Sequence, residues 1–136
     1  MRKFILDTMI KVLEDTGLFK KVYANTAPVF TQIKSFPALA VAYDGDMVDR
    51  HNISTTRMRV DSIISIYLYV KQEYANDFED ITSEYIDIIE STINNSEELK
   101  TNTIDCIVTS IKQDQGRLHP YAMAQLNVSL SYLKLL

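Results

Sequence analysis

The chain has 136 residues and a mass of 15.6 kDa, with 46% hydrophobic and 24% charged residues, the composition of an ordinary globular protein long enough to bury roughly two thirds of the surface its unfolded form exposes. Fourteen Lys and Arg against eighteen Asp and Glu leave a formal charge of -4, which argues against a dedicated nucleic-acid binder with a basic face. The lone Cys106 makes no internal disulfide, one Cys with two His is too small a donor set for structural zinc, and no apolar run approaches the roughly 20 residues that span a bilayer.

Met1 to Leu13 carries two basic residues, but Asp7 interrupts its apolar stretch and no small-residue cleavage site follows. It does not read as a signal peptide, and a cytoplasmic, reduced setting is expected. Phe4, Ile5, Met9, Val12 and Leu13 recur at helical spacing, with Gly17 where a left-handed cap belongs, which predicts a helix over Arg2 to Thr16. Phe19 to Ala24 reads as a brief edge strand, closed by a turn at Asn25, Thr26 and Pro28. Phe36 to Tyr43 puts Leu39, Val41 and Tyr43 on one face and three alanines on the other, a strand that Asp44, Gly45 and Asp46 are expected to stop.

Met47 to Thr56 turns polar and predicts an exposed loop. From Arg57 to Lys71 the pattern alternates strictly, with Met58, Val60, Ile64, Ile66, Leu68 and Val70 opposite Arg57, Arg59, Asp61, Tyr67 and Tyr69. A strand of that length would reach nearly 50 Å at roughly 3.3 Å per residue, so part of it is expected to protrude. A second helix is predicted from Asn76 to Asn94, followed by a polar link and then an antiparallel hairpin of Ile104 to Gln113 and Tyr121 to Leu133 around a connector, Asp114 to Pro120. The expected class is α+β in one domain, a mostly antiparallel sheet of four to five strands packed against two helices.

Catalytic signals are weak. His51 and His119 stand in polar segments outside any acid-base motif, and Cys106 sits between apolar strand residues where core packing is the plain reading. Asp44, Asp46, Asp49 and Asn52 lack the glycine and distal Glu of a calcium loop, and the isolated Gly17, Gly45 and Gly116 build no phosphate cradle. No catalytic, cofactor or metal residue is assigned.

Charge is unevenly placed. Nine acids lie between Gln72 and Leu99 with no Lys or Arg among them, so the remaining nine acids face fourteen bases, a surplus of five positive charges. The acidic helix, with Asp77, Asp80, Glu84 and Asp87, is either a solvated face, a contact for a basic surface on another copy, or the lining of a channel that must not bind a passing polyanion. Tyr67 and Tyr69 suit either core or a subunit interface, and Arg57 and Arg59 either an intersubunit ion pair or ordinary surface.

The order of these elements resembles the tail terminator, or tail completion, proteins of long-tailed bacteriophages: an N-terminal helix ending at Gly17, the strand Phe36 to Tyr43, a polar loop, the long strand, an acidic helix and a C-terminal hairpin. That resemblance implies a non-catalytic virion protein that forms a hexameric ring, caps the tail tube, stops its polymerisation and meets the head connector or head completion protein. DNA would pass through without specific binding, with no membrane and no cofactor involved. Contacts with the tube protein or between copies would fall to Asp49, Arg50, His51, Arg57, Arg59, Tyr67, Tyr69 and Arg117. Competing readings are another neck or head-tail joining protein, or a small dimeric α+β enzyme or ligand-binding module with a pocket between the second helix and the sheet.

Overall fold

Strict alternation makes Arg57–Lys71 the organising strand, because a residue pattern of period two can bury one whole face against a helix layer. The computed structural model of the chain describes residues 2–24, 33–49, 57–71, 78–113 and 121–135. In chain order they form α1 (Arg2–Glu14), β1 (Lys21–Ala24), β2 (Ala38–Asp49), β3 (Arg57–Lys71), α2 (Phe78–Asn94), α3 (Glu97–Asn102), β4 (Asp105–Gln113) and β5 (Tyr121–Leu135). The five strands make one sheet in the order β1-β2-β3-β5-β4, antiparallel except for the parallel β1–β2 pair. This is the expected α+β class, with three helices rather than two.

β3 is paired along its whole length with β5, from Arg57 opposite Leu135 to Lys71 opposite Tyr121, and from Arg59 to Tyr69 with β2. Its unusual length is therefore matched by its neighbours rather than left projecting alone. Val60, Ile64, Ile66, Leu68 and Val70 are buried, as are Ala122, Ala124, Leu126, Val128, Leu130 and Tyr132 of β5, and both sets lie under the helices. From above, α1 contributes Ile5, Met9 and Leu13, α2 contributes Ile86, Ile89 and Ile93, and α3 contributes Leu99. Truncating any one of these leucines or isoleucines to Ala would cost about 2 to 5 kcal/mol.

Three local features depart from the sequence expectation. β2 does not stop at Asp44: a bulge between Tyr43 and Gly45 absorbs one extra residue and the strand runs on to Asp49, so Met47 to Asp49 is strand rather than loop. Gly45 takes φ 159°, a backbone conformation that residues with a Cβ rarely adopt. The bulge also reverses the alternation, so that Asp46 pairs with Ser62 on the helix-covered side, where the Ser62 hydroxyl donates to Asp46 Oδ1 at 2.7 Å. The polar link after α2 holds α3, capped by Ser96, whose side chain accepts from the Leu99 N–H at 3.3 Å. Glu97 and Glu98 in its first turn and Lys100 in its last complement the helix dipole. α1 ends two residues earlier than expected, in a turn closed by Gly17 at φ 69°. The turn Asn25, Thr26, Pro28 and the segment 50–56 lie outside the described residues.

Candidate assembly interface

The helices cover one face of the sheet, so the other face and the two edge strands are what the protein presents. At the centre of the uncovered face the side chains are small and polar, and they bond across strands. The Ser65 hydroxyl donates to Asn127 Oδ1 at 2.9 Å, Gln125 Nε2 donates to the same oxygen at 3.1 Å, and Asn127 Nδ2 donates to Ser110 Oγ at 2.9 Å. Asn127 on β5 thus links β3 to β4. Towards the Arg57 end, Arg59 donates to Asp61 Oδ1 at 3.2 Å and to Ser131 Oγ at 3.1 Å, while the Ser131 hydroxyl donates to Asp61. Arg59 and Asp61 are each about one third exposed, a neutralised pair rather than a free charge.

At the opposite end the same face is apolar. Ala38, Ala40, Tyr69 and Ile33 form a second buried cluster, with Tyr23, Phe36, Tyr67 and Met123 packed against it. The small alanines of β2 leave room for the Tyr69 ring. Burial and the neighbouring Tyr67 push the Tyr69 hydroxyl up from 10.0 to about 12, so it stays neutral across the physiological range.

The two edges differ. β4 is nine residues long, with a bulge between Val108 and Ser110, and carries exposed Ile107 and Ile111, with Ile104 exposed just before it. β1 has four residues, and Leu18, Lys20 and Lys21 lie exposed at its start. α1 packs over β1 and β2, whereas α2 and α3 pack beside β4. The outer face of α2 carries exposed Glu84 and Asp87, while α1 is mixed, with Lys3, Asp7, Lys11 and Glu14 exposed. Lys11 reaches across to Glu98 of α3 at 3.3 Å, an exposed pair worth little to stability.

No reactive constellation emerges from these surfaces. A cavity of about 190 Å³ lies where α2, α3 and β4 meet, lined among others by Ile93, Lys100, Asp105 and Cys106. Burial, with a smaller push from Asp105, raises the Cys106 thiol from 9.0 to about 11, which keeps it protonated and a poor nucleophile. Among the described residues, no group of three His, Cys, Asp or Glu is gathered as a metal ion would need. Nor is any described helix long and apolar enough to cross a membrane.

The residues singled out from sequence are dispersed over this frame. Asp49 is opposite Arg59 in the β2–β3 register, and Arg57 is opposite Leu135. Tyr67 is half-buried, while the Tyr69 ring is inside the chain. Glu84 and Asp87 share the outer face of α2, and Asp80 belongs to its first turn. Arg50, His51, Asp77 and Arg117 lie outside the described residues. The chain leaves the sheet at Asp49 and re-enters at Arg57, and it leaves at Gln113 and returns at Tyr121, opposite Lys71. These two exits are at opposite ends of β3, about 45 Å apart at roughly 3.3 Å per residue. The Asn127 network was hidden from sequence reading because alternation marks polar positions without telling which strand lies beside which.

Comparison with known families settles the broad class. The model of the family described as Bacteriophage Tail Tube Terminator Protein matches residues 1–135. The chain belongs to the bacteriophage tail tube terminator family. No curated protein shows significant similarity to it. As a tail terminator it is a component of the phage tail, with tail tube and head components as its class of partner. In this tail terminator the surfaces open to such partners are the bonded sheet face, the two edges and the two ends of the sheet.

Proposed function

We propose that the protein assembles as a homo-hexameric ring that caps the tail tube, stops its polymerisation and presents a second surface to the head connector or head completion protein. The reading rests on the family match across residues 1–135, and the dissimilar edges of the sheet support it. A closed ring repeats one heterologous contact, which needs two different flanks on each copy. The two sheet ends supply separate docking levels. Asp49, with Arg50 and His51 next in the chain, and Arg57 and Arg59 serve one neighbour from one end. Arg117, in the connector that leaves the other end, serves the second, and Tyr67 takes part from the sheet face. DNA passes through the ring without specific binding, which acidic and neutral polar surfaces favour by holding no phosphate. The acidic residues Asp77, Asp80, Glu84 and Asp87 serve the channel or the ring contact. The role is structural, without catalysis, in host cytoplasm during assembly and at the head-tail junction afterwards.

Two measurements test this. Light scattering after size exclusion, at several concentrations, is expected to give a mass near six subunits. Added to polymerising tail tube protein, the ring is expected to shorten the tubes. A tight dimer at every concentration, with no effect on tube length, overturns the reading.

A further inference from the structure

The ring contact needs two flanks, and the sheet offers both. β4 is a long edge whose outer side no described strand covers, and it is flanked by exposed Ile107 and Ile111. Edges of that length and apolarity invite pairing with another chain unless something shields them. β1 is the opposite edge, short and parallel to β2. Following the strand directions across the sheet, β1, β2 and β5 run one way and β3 and β4 the other. A copy related by rotation about an axis along the strands therefore offers its β1 antiparallel to β4, the sense in which the sheet already pairs most of its strands.

The register agrees as well. Through the pairs Val22–Leu39, Leu39–Leu68, Leu68–Ala124 and Ala124–Gln113, Val22 stands level with Gln113. By the same route Tyr23 is level with Lys112, and Ala24 with Ile111. The faces correspond: Val22 joins the core under the helices and Gln113 pairs with Ala124 on that side, whereas Tyr23 and Lys112 are on the uncovered side. Ala24 and Ile111, both exposed, thus stand level with each other on the helix-covered side.

We infer that β1 of one copy adds antiparallel to β4 of the next, with Ala24 beside Ile111, so that the sheet continues from copy to copy. This rests on the ring reading above and states which surfaces close it. A two-fold pairing of β4 with β4 would leave β1 and Leu18 uncovered and could not extend beyond two copies.

The test uses the full chain with Cys106→Ser as background. Ala24→Cys and Ile111→Cys are introduced singly and together, and the protein is oxidised after its native mass has been measured. The double variant is expected to give a covalent ladder ending at the ring's subunit number, and each single variant a single monomer band. A covalent dimer from Ile111→Cys alone overturns the inference in favour of the two-fold pair. Ring mass without a ladder overturns the strand junction and leaves the ring intact. A monomeric mass at the highest concentration overturns both.

Discussion

The Ser65 hydroxyl donates to the side-chain oxygen of Asn127 across the β3–β5 pair, and both groups lie on the sheet face that the helices leave uncovered. Ser65 is only 2% exposed, so this bond replaces water that has little access to it. Asn127→Ala is expected to lower stability by about 1 to 3 kcal/mol, the cost of leaving buried polar groups without partners. Urea denaturation checks it, and an unchanged midpoint would show that water takes over the role.

Arg59 ties Asp61 to Ser131 while remaining partly exposed, so its value to the isolated chain is small. Arg59→Glu is expected to change monomer stability by no more than about 1 kcal/mol. The same substitution is expected to impair assembly or tube capping, since it reverses a charge at the sheet end assigned to a neighbour. Thermal melting and light scattering on one preparation separate the two effects. Wild-type assembly by this variant would remove Arg59 from the contact.

Tyr69 gives the fold an alkaline limit. Its hydroxyl ionises near 10.0 when the chain is unfolded and at about 12 when folded, because burial disfavours the phenolate. The unfolded state therefore loses its proton first, and the stability supplied by the neutral phenol is complete below pH 10 and drains away as pH rises towards about 12. Tyr69→Phe is expected to flatten this part of the stability profile. Melting temperatures from pH 8 to 11.5 are the check, and identical slopes in the two proteins would assign the alkaline loss to other groups.

Gly17 closes α1 at φ 69°, and an added Cβ there would meet nothing within 4 Å. The penalty for Gly17→Ala is thus one of backbone conformation alone, about 1 to 2 kcal/mol. Gly17→Asn is expected to cost less, because Asn tolerates the left-handed region. Chemical denaturation of both variants tests the order.

Much of the fold is written in local pattern. The bounds of Arg57–Lys71 follow from alternation because the helix layer covers only one side of β3, and β5 shows its buried face for the same reason. Gly17 marks the end of α1 because few other residues take its backbone conformation. α3 escaped because six residues with one buried apolar side chain, Leu99, cannot display a period, although Ser96 followed by Glu97 and Glu98 is a helix-start signal. Asp44-Gly45-Asp46 has the composition of a turn, and only pairing with β3 turns it into a bulge. Strand order, and with it the identity of the two edges and of the Asn127 network, depends on contacts between residues far apart in sequence. Tyr69 could be assigned to core only once Ala38, Ala40 and Ile33 were seen around it.

The paired length of β3 makes the protein a spacer of fixed gauge. Both exits from the sheet are anchored to the same fifteen-residue strand, one at each end, so the separation between them is set by backbone extension rather than by side-chain packing. Inserting residues between Asp49 and Arg57 would remodel one end and leave the other where it is. Trimming two residues from β3 and its partners would bring the ends closer by about 6.6 Å without altering either. Recognition at the two ends can accordingly diverge independently, while the strands hold constant the distance between whatever is bound there.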